Sequence, residues 1–449
     1  MKKSINMLEG SLWDKILVFA IPLAVTGILQ QLFNATDVAI IGQFVGADAM
    51  AAVGANTSVV TLLVSLFLGV SIGTNVVMAK YTGMGDMERV EKTMHTSIAF
   101  ALVGGLFLTI VGQFVAEPIL RLMSVPDNIL PMAVLYLRIY LVGMPFNFLY
   151  NFESAIFRSQ GDTKTPLLCL IASGIINVCL NLLFVLKLGR SVDGVAMATV
   201  TAMAVSSLLM FFMLLRRNDA LKVSLIKIRI RPRYLSEVVR IGLPAGVQGM
   251  VFSLSNLCVQ QGINSLGSDA IAASTAALYI EILVYFLVNS FGQAATTFIG
   301  QNYGAGKLDR CKRVTLTCVV MGIVVAEALA VVLYLFGGSL LQLFNSDAAV
   351  IALGMQRLRM VVLFEGVNAV IEILSGTMRG YGYSMVPAFV AFFGICGVRI
   401  VYVYTVFRMH PTFIWLMAAY PISWLITTLL LILAYVVFQN KTLKKRSYC

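Results

Sequence analysis

The sequence predicts an all-α polytopic membrane protein with twelve transmembrane helices in two repeated six-helix lobes. Three observations lead there. Of 449 residues, 59% are hydrophobic and only 12% are charged, with a mean hydropathy of +0.89, whereas about a quarter of the residues of a soluble domain carry charge. A bilayer core of about 30 Å needs about 20 apolar residues per helical crossing, so the chain has room for roughly twelve. Finally, the second half repeats the first.

Apolar segments separated by short polar breaks fall near 15–44, 52–79, 94–116, 132–157, 167–188 and 194–215, and again near 241–263, 271–299, 315–336, 350–378, 387–408 and 412–438. This predicts a first lobe over 1–215, a basic linker over 216–240, a second lobe over 241–438 and a basic tail over 439–449. At a shift of 221 to 222, Pro22 matches Pro244, GADAMAA from Gly46 matches GSDAIAA from Gly267, and Gly83, Gly85 and Arg89 match Gly304, Gly306 and Arg310. Further on, Arg138 matches Arg359, Asn147 matches Asn368, and RSQGDTKTP from Arg158 matches RGYGYSMVP from Arg379. So many matches at one shift indicate an internal repeat. Six is even, so both copies insert the same way up, one of the two internal symmetries of alternating-access transporters.

The net charge of +12 is explained by topology rather than by nucleic acid. With both termini cytoplasmic, 25 of the 33 Lys and Arg fall in cytoplasmic segments, including Lys2, Lys3, Lys80, Arg158, eight over 216–240, and Lys441 to Arg446, leaving 8 elsewhere. The seven cysteines lie mostly in apolar runs with no CxxC, which suits small packing residues. No small-residue cleavage site follows the first apolar run, which is read as a retained helix.

Soluble-enzyme signatures are absent: there is no Walker loop, HExxH or dinucleotide fingerprint. Gly69-Val70-Ser71-Ile72-Gly73 matches G-x-S-x-G, but that motif needs a strand-to-helix elbow. A dyad of Ser71 with His95 would span heights differing by about 10 Å. The segment reads better as a small-residue helix contact, and the protein is not expected to be an enzyme.

Ionisable residues inside apolar segments are costly and are therefore the functional candidates. Asp37 lies two-thirds along the first segment with no Lys or Arg within twenty residues. It is a candidate proton carrier, against a permanently protonated structural acid bonded to Asn34 or to a neighbouring helix, and its repeat partner is apolar Cys258 or Val259. Glu365, Asn368 and Glu372 share one face of the tenth segment, and such a stripe must face a cavity or a partner. Glu281 is a possible member. Glu153 could snorkel toward Arg158, Glu327 has no polar neighbour at helical spacing, and Arg138 and Arg359 read as anchors or gate contacts. Pro22 and Pro244 kink the first and seventh helices and are candidate hinges.

FAIPLAVTGILQQLFNATDVAIIGQFVGADAMAAVG in the first segment, FRSQGDTKTP, NVCLNLLFV with GVAMAT, GQNYGAGK and MRGYG together resemble the multidrug and toxic compound extrusion (MATE) family over nearly the whole chain. The resemblance implies a bacterial inner-membrane antiporter that expels cationic or amphipathic drugs and metabolites, driven by protons or sodium through rocking of two lobes. It implies a cation-coupling site of Asp37, Asn177, Asn181 and Thr199, where sodium is a possible ligand and no other cofactor is expected. Asn181 stands where the family usually has aspartate, which favours a proton on Asp37 over sodium. The family's glutamate in the seventh helix is absent, so Glu281, Glu365 or Glu372 would serve the second lobe, with Asn34 and Asn368 also lining the substrate cavity. Partners are then the drugs and the lipid bilayer, with no nucleic acid, and the protein is expected to act as a monomer. The alternatives are a flippase for lipid-linked sugar precursors, disfavoured by the acidic character of the buried charges, and a channel.

Overall fold

The computed structural model describes residues 5–123 and 125–440, and among the described residues there is no strand. Twelve helical elements follow in order; among the described residues ten are long and apolar enough to cross a membrane, and the bent pair Leu130–Val142 and Met144–Ser159 makes an eleventh. The first six are α1 (Trp13–Phe44), α2 (Ala47–Met84), α3 (Met87–Leu122), α4 (Leu130–Val142 continued by Met144–Ser159), α5 (Lys164–Lys187) and α6 (Val192–Leu215). The second six are α7 (Pro232–Ser265), α8 (Ser268–Gly304), α9 (Leu308–Leu335), α10 (Ala348–Val361 and Glu365–Gly380), α11 (Met385–Phe407) and α12 (Phe413–Phe438). The apolar runs mark the middle lengths of these helices, but several helices outrun them. α7 starts at Pro232, not near 241, because Pro is pre-shaped for a first helical turn. Its opening turns bury Tyr234 and Val238 while exposing charge, so hydropathy does not mark them. The basic tail beyond residue 440 lies outside the described residues.

The repeat predicted from sequence is present in the backbone. Gly85 and Gly306 close α2 and α8 at φ 73° and 74°, and Gly161 and Gly382 turn the chain after α4 and α10 at φ 84° and 90°. These left-handed conformations strain any residue with a Cβ, which explains why glycine recurs at the shift of 221. α4 bends by 47° at Gly143, where Pro145 restricts the preceding backbone. α10 breaks at the equivalent place, through a 3₁₀ turn over Val362–Phe364. The apolar segment near 350–378 is therefore two helices, Ala348–Val361 and Glu365–Gly380, joined by that turn.

The chain forms two compact units. The first is built from Val25–Gly242; the second takes Ile5–Ala24 and everything described from Leu243 onward. The boundaries fall within two or three residues of Pro22 and Pro244, inside α1 and α7. Each half of the sequence thus gives its leading segment to the unit formed mainly by the other half. In the second unit, Met7 is fully buried, and its carbonyl accepts from Asn302 Nδ2 at 3.1 Å and Arg310 Nε at 3.2 Å, while Lys307 Nζ donates to the Leu8 carbonyl at 3.1 Å. Those donors belong to GQNYGAGK and the start of α9, so that motif fastens the leading segment. In the first unit, the residues before and within early α7 do the same against α2 and α3. Gly73 meets the backbone of Val238 and Gly242 so closely that a Cβ has no room, as expected for a small-residue contact.

Candidate cation-coupling site

Within the first unit, Asp37 of α1, Asn177 and Asn181 of α5, and Thr199 of α6 converge. Asn181 Nδ2 donates to Asp37 Oδ1 at 2.5 Å and the Thr199 hydroxyl donates to Asp37 Oδ2 at 2.8 Å. Asn181 Nδ2 also approaches Asn177 Oδ1 at 3.3 Å. Spacing makes this possible: 177 and 181 are one helical turn apart and share a face. Asp37, Asn177 and Asn181 are all buried, and among the described residues no cation pairs with Asp37. Both carboxylate oxygens are met by neutral donors, while Asn181 Oδ1 is buried with no partner. Asn34 is not part of this cluster: it is exposed and reaches Gln31 Oε1 at 3.4 Å.

The second unit holds the acidic stripe. Glu365, Asn368 and Glu372 are buried on α10, and Asn368 Nδ2 donates to Glu365 Oε2 at 2.9 Å. Glu372 faces Arg379 Nη2 at 4.0 Å and accepts from Asn289 Nδ2 at 3.5 Å. Glu281 of α8 does not join the stripe as an available carboxylate. Arg357 of α10 grips it with Nε and Nη2 at 2.7 and 2.9 Å, and Arg357 Nη1 donates to Ser274 Oγ at 3.0 Å. A buried bidentate pair of this kind leaves little for a ligand.

Glu327, which lacks polar neighbours on its own helix, accepts from the Gly366 N–H at 2.8 Å. The break in α10 frees the amides of a new helix start, and Glu327 caps them. Glu153 does not snorkel: it is fully buried, and neither carboxyl oxygen has a hydrogen-bond partner among the described residues. Arg138 and Arg359 are both exposed. Ser71 and His95 form no dyad. The Ser71 hydroxyl donates to the Leu68 carbonyl at 2.7 Å, and both His95 nitrogens are engaged by backbone groups. Two buried cations escape the sequence reading, Arg357 and Arg399. The Arg399 guanidinium donates to Asn256 Oδ1 at 2.7 Å and Ser423 Oγ at 3.0 Å and lies 4.3 Å from the Tyr420 ring centroid, with no carboxylate paired to it among the described residues.

A family model described as MatE matches residues 22–183 and matches a second time over 244–405. This chain belongs to the MatE family. The two MatE matches begin at Pro22 and Pro244, so the family unit is the repeat itself. A probable multidrug resistance protein, YoeA, of Bacillus subtilis is 30% identical over 87% of this chain and 86% of its own length. A probable multidrug resistance protein, NorM, of Thermotoga maritima is 25% identical over 86% and 84%. A solved outward-facing multidrug resistance MATE transporter covers 98% of this chain and 100% of its own, with a TM-score of 0.90 at 21% identity, which supports the fold. As a MatE member the chain is a multi-pass membrane transport protein.

Proposed function

We propose that this protein exports cationic amphipathic compounds across the bacterial inner membrane, as a monomer with both termini cytoplasmic, in exchange for protons taken up at Asp37. The observation that carries the reading is a buried carboxylate bound only by neutral groups. With no fixed cation beside it, Asp37 changes the charge of its surroundings by one unit when it gains or loses a proton. The unpartnered Asn181 Oδ1 supports a proton as the ion. Turning the amide over presents that oxygen to the O–H of a protonated Asp37, and the two amide ends are interchangeable in shape. Sodium, by contrast, would find one carboxylate where hard cations favour more. An outside proton would lower affinity for a cationic substrate and favour its release, and the proton would leave inside. Pro22 and Pro244, beside the unit boundaries in α1 and α7, are proposed as the hinges of the cycle. Names of the relatives, both probable multidrug resistance proteins, agree with a broad drug substrate class.

The test is reconstitution into liposomes with a pH gradient or a sodium gradient imposed separately, following a fluorescent cationic dye. Wild-type protein should respond to the pH gradient, and Asp37→Asn should lose that response while folding and inserting normally. Dye efflux from Asp37→Asn vesicles that still follows the pH gradient overturns the assignment. A wild-type response to sodium at fixed pH replaces the ion but leaves the site.

A further inference from the structure

The linker over 216–231 between α6 and α7 is fastened along one side. Leu221 and Val223 are buried in the first unit's core, and the Val223 N–H donates to the Leu214 carbonyl at 3.2 Å. The Ser224 N–H donates to His95 Nε2 at 3.0 Å, and Lys227 Nζ pairs with Glu91 Oε1 at 2.7 Å. His95 Nδ1 lies 2.8 Å from the Glu91 carbonyl. An imidazole that accepts at Nε2 and faces a carbonyl at Nδ1 must carry its proton on Nδ1, so His95 is a neutral peg for the linker.

With its back held, the linker makes a 3₁₀ turn over Leu225–Lys227 that directs two apolar side chains outward. Leu225 is 64% exposed and Ile226 is 96% exposed, the highest value of any large apolar side chain among the described residues. A single exposed isoleucine on a soluble protein would carry no message. Here the turn is pinned to the start of α3 and follows the end of α6, the level at which a bilayer's headgroups begin. Lys222 and Arg229 flank it, and neither has an acidic partner among the described residues. An apolar tip set between cations matches the chemistry of an anionic lipid surface, where hydrocarbon contact and phosphate attraction act together.

We propose that the Leu225–Ile226 turn inserts among the headgroups of anionic phospholipids in the leaflet on the linker's side, with Lys222 and Arg229 meeting the phosphates. The segment that joins the two halves of the sequence is thereby held to the membrane surface, and its hold depends on lipid charge. The experiment places an environment-sensitive fluorescent amino acid at Ile226 in the full-length protein, which leaves the native cysteines untouched. The protein is incorporated into nanodiscs of phosphatidylcholine, with or without phosphatidylglycerol, each doped with lipid spin-labelled near the headgroup. Quenching should be several-fold stronger in the phosphatidylglycerol discs and should fall in high salt. Replacing Lys222→Gln and Arg229→Gln, with the reporter kept, should weaken the association by about fivefold for each cation. Both positions are outside the packed core, and the elution volume of the variant checks its fold. Equal quenching in the two lipids, or water-like emission in both, overturns the proposal.

Discussion

The Glu281–Arg357 pair offers the sharpest test of which buried acids are structural. Arg357 is 4% exposed and Glu281 5%, and two charge-assisted hydrogen bonds of 2.7 and 2.9 Å join them. Glu281→Met keeps most of the length but leaves an uncompensated buried guanidinium, and Arg357→Met leaves the carboxylate alone in the same way. Removing one partner of a buried ion pair costs about 3 to 5 kcal/mol. Ser274 at 3.0 Å and the Tyr420 ring at 5.7 Å still stabilise Arg357 in the Glu281→Met variant, so the expected loss there is about 3 kcal/mol, at the lower end of that range. Replacing both residues by Met removes both charges, and such exchanges are often neutral. The double variant should therefore lie within about 1 kcal/mol of wild type, giving a coupling of at least about 2 kcal/mol. Equilibrium denaturant unfolding of the four proteins in lipid–detergent micelles measures the cycle, and dye efflux from liposomes measures activity. Additive losses, or a single variant that costs less than about 1 kcal/mol, would refute the structural role. So would a stable double-Met protein that no longer binds a cationic dye, because Glu281 would then be a ligand.

Two further outcomes follow from the polar clusters. Asn181→Asp adds a second carboxylate beside Asp37 and should make dye efflux respond to an inward sodium gradient, read in the same liposomes at fixed pH; no sodium response would count against the ion-selecting role of this position. Glu365 is the stripe acid whose hydrogen bond among the described residues is to a neutral partner, Asn368, so Glu365→Gln should reduce affinity for a cationic substrate about tenfold or more with little loss of protein yield. Equal transport of cationic and neutral compounds by that variant at wild-type rates would assign Glu365 to packing.

Much of this was legible in the sequence, and the reasons differ by element. The long apolar runs report burial in lipid directly, and the repeat surfaces as glycines because only glycine adopts the left-handed turns at Gly85 and Gly306. Asp37 stands out because a single acid interrupts an apolar helix, whereas Asn177, Asn181 and Thr199 are reached only through the resemblance to the MATE family, since neutral polar residues carry no such cost in an apolar run. Arg399 obeys the same rule as Asp37, lying within the apolar run GICGVRIVYV, and should have been found by it. Arg357 was masked by its neighbour Arg359: only three-dimensional packing decides which of two arginines in QRLRM turns inward. Likewise, the polar first turns of α7 are stabilised by tertiary contacts such as Tyr81 Oη donating to Glu237 Oε2 at 2.5 Å, which no local pattern encodes. The break in α10 needs the Glu327 carboxylate from another helix to satisfy its freed amide.

The exchange of leading segments between the two units bears on how such a chain arose. The arms over Ile5–Ala24 and the start of α7 occupy equivalent places in the repeat yet each completes the unit built by the opposite half. Had the six-helix ancestor been a separate polypeptide, each copy would have lacked its own arm until a second copy lent one, which describes a homodimer with swapped elements. Fusion of two genes through a short basic connector would then have preserved an existing exchange of leading segments. It would also have released the copies from identity, allowing an acid to persist at Asp37 while its counterpart drifted to Cys258 or Val259.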